Sequence, residues 1–225
     1  MNKLFDLNSP FMRVLSRMAD LVFLSVLWVL CCIPIITIGP ATAAMYYVAL
    51  KLARKEDIRV TSCFFQGFKN NFKQGVILNI IFLVVGTVIF LDYFIMSNAE
   101  GTAGMLTSTC FFVMGIWLLC IMFYAYPLQA QFYNPIRRTL MNAAIMSMQK
   151  FPTTVIVFLL NMLPVILLLV SVDTMKLVIY TAPFWVVLAP GLTAYLCSKR
   201  FIKLFDPYVN PEKEMEAEES QDETE

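Results

Sequence analysis

No histidine occurs anywhere in the 225 residues. That removes the commonest general base, the commonest transition-metal ligand and the side chain that changes charge near neutral pH. Charge is scarce too: 15% of residues are Asp, Glu, Lys or Arg, and 17 basic side chains nearly balance 16 acidic ones. Nothing in the chain points to nucleic acid. The six cysteines, Cys31, Cys32, Cys63, Cys110, Cys120 and Cys197, form no CxxC pair and lie in apolar stretches or beside them, so they read as reduced, packed thiols. Cys63 and Cys197 are also weighed as acylation sites. Serines and threonines have no His or Lys partner at a recognisable spacing, and no glycine-rich phosphate loop is present. The expectation is a chain that is not an enzyme and holds neither cofactor nor metal.

What is present is apolar. Hydrophobic residues make up 59% of the chain, mean hydropathy is +0.71, and there are 19 Phe and 14 Met, more than a water-soluble domain of this size can bury. Apolar runs long enough to cross about 30 Å of hydrocarbon as helices recur along the sequence. Strong spans are expected at Met18 to Ile36, Gly75 to Met96, Gly104 to Tyr126, Thr153 to Val172 and Leu177 to Ser198. No small-residue cleavage site follows the first of them, which is therefore expected to be retained. The fold class is all-α: a polytopic membrane helix bundle of five strong spans plus one short or re-entrant helix, with amphipathic helices on the inner surface. The bundle occupies residues 1–206, and residues 207–225 form an acidic, disordered cytoplasmic tail.

The extra helix lies in IPIITIGPATAAMYYVALKLARK, residues 33–55. Pro40 to Ala53 rises about 21 Å, short for a comfortable crossing. Charge argues that the chain nevertheless returns to the side it left. With a return here, 16 of the 17 Lys and Arg fall on the inner side, all but Lys176; without it, Lys3, Arg13 and Arg17 move to the outside as well. The bias of basic residues toward the cytoplasm favours the return, with both termini cytoplasmic. Thr37-Ile38-Gly39-Pro40 is then a turn, with Gly39 as N-cap and Pro40 as first helical residue, and Pro34 weakening the helix before it. A full crossing and a dipping hairpin both satisfy this count.

The inner loops carry a second pattern. In VTSCFFQGFKNNFKQG, Thr61 or Ser62 is placed to cap a helix on which Phe64, Phe68 and Phe72 recur every fourth residue with Phe65 beside them, a face suited to lying in the membrane surface. NPIRRTLMNAAIMSMQKFP repeats the plan with Asn134 as cap and Pro135 first, and NSPFMRVLSRM is a smaller copy. Such segments either anchor the bundle or dock a partner.

Few polar groups fall within the spans. Asp92 lies near the outer end of one, and an acid there is a candidate transport site. Pro190-Gly191, like Pro34, Pro164 and Pro183, interrupts a span, and broken helices line substrate sites in transporters as well as shaping ordinary bundles. The small residues Gly39, Ala41, Ala43, Ala44, Gly191 and Ala194 permit close helix approach.

The blocks LNSPFMRVLSRMADLVFLSVLWVLCCIPIITIGPATAAMYYVALKLAR, FFQGFKNNFKQG and RRTLMNAAIMSMQKFPTTV, in this order, closely resemble the YesL-like family, a bacterial multi-pass membrane domain of unknown function. The resemblance covers roughly residues 1–205, and its matched motif positions are Thr37, Gly39, Pro40, Phe65, Phe68, Asn71 and Phe72. It implies a bacterial cell-membrane protein, commonly encoded beside binding-protein-dependent ABC importers for oligosaccharides and their two-component regulators. It implies no catalytic or substrate-binding residues. Three functions follow: an accessory subunit packed on ABC permease chains, a stand-alone transporter or channel using Asp92, Pro190 and Gly191, or a sensor and scaffold for the regulation of carbohydrate uptake. Membrane lipid, permease subunits and further copies of the chain are the expected partners.

Overall fold

The computed structural model describes residues 10–99, 101–170 and 175–209. Every regular element among them is helical. Helix α1 runs Pro10–Cys31, a single 3-10 turn covers Ile35–Thr37, α2 runs Ile38–Ala53, α3 Val60–Ser97, α4 Thr102–Gln131, α5 Ile136–Gln149, α6 Phe151–Val170 and α7 Met175–Val209. The expected caps at Asn8 and Ser9 and the acidic tail from 210 onward lie outside the described residues.

Three stretches among the described residues are long and apolar enough to cross a membrane: Ile35–Ala53, Val60–Ser97 and Thr102–Gln131. The pair Ile136–Gln149 and Phe151–Leu163 meets the same length and polarity only when taken together, and it is bent by 103° at its break, as a broken span or a re-entrant loop is. The expected spans at Met18 to Ile36, Thr153 to Val172 and Leu177 to Ser198 fall largely on α1, α6 and α7, which are not among those three stretches, so five separate spans are not shown.

The element read as short and marginal is the centre of the bundle. Helix α2 packs against α1, α3, α4 and α7, and 61% of its span is buried within the protein, against 22% for α3 and 6% for α4. Its first turns are built from small residues: Gly39, Pro40, Ala41, Ala43 and Ala44 are all buried. With no driving force to separate apolar helices from lipid tails, such residues hold helices together by letting backbones approach closely.

Two expectations about local structure are corrected. The phenylalanine-rich segment does not form a separate helix in the membrane surface. It is the first part of α3, which continues through Gly75 without a break to Ser97, because nothing in Asn71-Phe72-Lys73-Gln74-Gly75 stops a helix at an interior position packed against α2. The segment NSPFMRVLSRM likewise runs on into α1 from Pro10. Only the third copy, α5, stands as a helix of its own. The starts shift as well: α3 is capped by Arg59 rather than Thr61 or Ser62, and α5 by Pro135 rather than Asn134.

Thirty-eight residues make α3 about 57 Å long, almost twice the thickness of a hydrocarbon core. The turn between α1 and α2 meets it only partway along, at Gly75 and Asn79. From Asn79 to Ser97 the helix rises about a further 27 Å. That C-terminal part pairs with the first half of α4, Gly86 facing Leu118 and Tyr93 facing Phe112.

Candidate functional site

The turn between α1 and α2 is held by side-chain hydrogen bonds to its backbone carbonyls. Helix α1 ends at Cys31, and the Thr37 hydroxyl lies 2.6 Å from the Cys31 carbonyl and 2.7 Å from that of Pro34, sharing its one proton between them. The hydroxyl thus satisfies the carbonyl left open by the end of α1 and adds to the bond that the Thr37 N–H already makes to the Pro34 carbonyl. Thr37 is also the residue from which α2 starts, so Gly39 and Pro40 fall inside the first turn rather than at its cap and first position. Proline is tolerated there because first-turn N–H groups have no intrahelical acceptor.

Gly39 and Gly75 let α2 and α3 touch backbone to backbone. A Cβ on Gly39 would meet the Gly75 carbonyl oxygen and lie 2.8 Å from the Asn79 Cβ; one on Gly75 would lie 2.7 Å from the Pro40 nitrogen and 2.8 Å from its Cα. One helix turn further along α3, the buried Asn79 donates its side-chain amide to the Ile35 carbonyl at 2.9 Å. The Ile35 carbonyl, which also accepts the Ile38 N–H, thereby gives the lone amide of an apolar helix a partner, sparing Asn79 the cost of burial unpaired.

A matching contact closes the other side of α1. Gly191 on α7 has no room for a Cβ against the Leu21 carbonyl and the Ser25 hydroxyl. Its N–H donates to Ser25 Oγ at 2.9 Å, and Ser25 in turn donates to the Leu21 carbonyl at 2.9 Å. The small-residue reading of Gly39, Gly191 and their neighbours therefore describes real close contacts.

The phenylalanines divide between two environments. Phe64 is fully buried in the core and stacks on the half-buried Phe68 at 6.3 Å, while Phe65 and Phe72 remain 51% and 42% exposed. Asn71 is committed locally: its amide donates to the Gly67 carbonyl at 2.9 Å, and its own carbonyl accepts from Gln129 of α4 at 3.2 Å. Beneath them Tyr46, Tyr124, Phe201 and Phe205 form an aromatic column, with centroid distances of 5.2 Å for Tyr124–Phe201 and 5.5 Å for Phe201–Phe205. A polar thread runs beside it: Tyr124 and Thr154 share a hydrogen bond of 3.0 Å, Thr154 donates to the Ser147 carbonyl, and Asn161 donates to the Val157 carbonyl and faces Cys197.

The transport candidates are not brought together. Asp92 is half-buried on the C-terminal part of α3, where the partner helix is α4, whereas Pro190 and Gly191 lie where α7 meets α1. Pro164 and Pro183 lie within α6 and α7, with side chains outside the described set. Cys63 and Cys197 are 6% and 0% exposed, which leaves no room for an acyl chain on either thiol as packed here. All six cysteines are unpaired, and no group of three metal-ligating side chains occurs among the described residues.

Sequence reading missed Asn79, Gly75 and Ser25, the three residues that complete the contacts of Gly39 and Gly191. The available signal was the isolation of Asn79, the one amide between Gly75 and Leu91.

Residues 21–93 match the family described as "Protein of unknown function, DUF624", in line with the resemblance to the YesL-like family. The matched stretch begins in α1 and takes in the turn, all of α2, and α3 as far as Tyr93. No curated protein and no solved structure matches the chain.

Proposed function

We propose, from that family match and the packing just described, that the protein is an accessory integral-membrane subunit of a binding-protein-dependent ABC importer for oligosaccharides. The observation that carries this reading is the uncovered α3–α4 hairpin. Phe90, Phe94, Met105, Leu106 and Phe112 are all more than half exposed within the chain, although the rest of α3 and the end of α4 are built into the core. A long two-helix apolar arm projecting from a compact base is suited to lie along the membrane helices of a permease. The genomic company implied by the family resemblance supplies the class of permease. Separation of Asp92 from Gly191 weighs against a stand-alone carrier built on those residues.

The reading includes a topology. Apolar side chains on the α3–α4 arm need hydrocarbon or protein around them, so the arm lies within the bilayer and its tip marks the outer face. The turn between α1 and α2, about 27 Å short of that tip along α3, then lies toward the cytoplasmic half of the membrane. In this topology the α1–α2 hairpin lies along the inner interface, with its turn at the level of Gly75 and Asn79, α3, α4, α6 and α7 cross, and both termini are cytoplasmic. In a cysteine-free background, Asn98→Cys is expected to react with an impermeant maleimide added outside intact cells, and Ile36→Cys to stay unlabelled until the cells are opened. Labelling of Ile36→Cys from outside would make the hairpin a full crossing.

The functional test places a photo-cross-linker at Phe112, on the arm, in the native host growing on oligosaccharides. Recovery of permease chains covalently joined at this position is the expected result. Recovery of the protein alone, or joined only to itself, would reject the importer reading.

A further inference from the structure

At the basic end of α3 the helix borders a cleft of about 550 Å³ lined by Lys69, Lys73, Asn70, Phe72 and Tyr133. Lys69 and Lys73 are four residues apart and share one helix face. Both are exposed, and so are Asn70, Phe72 and Tyr133, the last at 95%. The surrounding sequence holds no carboxylate to neutralise the lysines: no Asp or Glu occurs between Asp57 and Asp92, or between Glu100 and Asp173. The uncharged run of α3 begins at Gln74 and continues to Leu91, so with α3 as a membrane helix the lysines flank the segment that enters hydrocarbon.

We infer that this cleft binds the phosphate headgroup of an anionic phospholipid. Two ammonium groups supply the charge complement, and the amide of Asn70 adds a donor for a phosphate or glycerol oxygen. Phe72 and Tyr133 furnish the aromatic pair that favours the headgroup level. Basic pockets of this kind, at the end of a membrane helix, are suited to lipid headgroups rather than to diffuse attraction alone. The assignment rests on α3 being a membrane helix and is independent of the importer reading.

The test titrates the full-length protein, purified in a neutral detergent, with phosphatidylglycerol and separately with phosphatidylcholine, reading bound lipid by native mass spectrometry. Phosphatidylglycerol is expected to bind preferentially. The K69Q/K73Q variant should weaken that binding by about thirtyfold, roughly fivefold per lysine, and leave phosphatidylcholine unchanged. K69R/K73R should retain the preference, which separates charge from loss of fold, and K199Q/K203Q should leave it within about twofold. Equal binding of the two lipids, or an equal loss from both Gln pairs, would overturn the assignment. Preference that emerges only after residues 210–225 are removed would give the cleft to the acidic tail, and would overturn it as well.

Discussion

Gly39→Leu is expected to eliminate most folded protein, with a destabilisation of about 3 kcal/mol or more, at the upper end of what overpacking causes. The neighbour that would have to move is the Gly75 carbonyl, part of the α3 backbone, and not the end of a flexible side chain. Relief would require separating α2 from α3 along the best-buried interface of the bundle, and would pull Asn79 from the Ile35 carbonyl. Gly86→Ala is the matched control. It also lies on α3, yet its added carbon would meet only Leu118 at 3.7 Å, an ordinary contact. Thermal melting in detergent should show the first variant collapsed and the second close to the native protein. A native melting curve for Gly39→Leu would mean that the turn does not rest on α3 as described.

Phe64→Ala is the second large effect, about 3–5 kcal/mol for a fully buried phenylalanine. Phe65→Ala and Phe72→Ala, on exposed side chains of the same helix, should each change stability by no more than about 0.5 kcal/mol. The contrast separates two roles for one aromatic pattern. If the segment merely lay on the membrane surface, Phe64, Phe68 and Phe72 would form one face and behave alike. Packed as it is, Phe64 is core and Phe72 borders the lysine cleft. Denaturant or thermal unfolding of the three single variants decides between these arrangements, and equal losses at Phe64 and Phe72 would exclude the packed one.

Composition and periodicity made much of this architecture legible, each where a single force dominates. The excess of Phe, Met and aliphatic residues requires a helical membrane protein, and the cluster of proline and glycine at residues 34–40 requires a break. What escaped depended on pairs of distant residues. The phenylalanine segment and the span after it differ in polarity, which separated them on paper. Helix formation responds instead to backbone breakers, and none lies between Phe64 and Val76 that packing does not override. Gly75 read as the edge of a span, but its role is set by Pro40, a residue on another helix. Thr37 was read as part of a turn whose cap was Gly39; its hydroxyl is instead engaged backward with the Cys31 and Pro34 carbonyls, and α2 begins a residue before Gly39. Asn79 is a single amide whose partner is a backbone carbonyl 44 residues earlier, a pairing that has no signature in either local sequence.

The same separation orders events during synthesis. Helices α1 and α2 leave the ribosome well before Asn79, and until it arrives the Ile35 carbonyl holds only the Ile38 N–H and Gly39 has no α3 backbone to rest on. At about 5–20 residues per second the wait lasts several seconds. The first hairpin therefore gains its contacts to Gly75 and Asn79 only from a helix made after it.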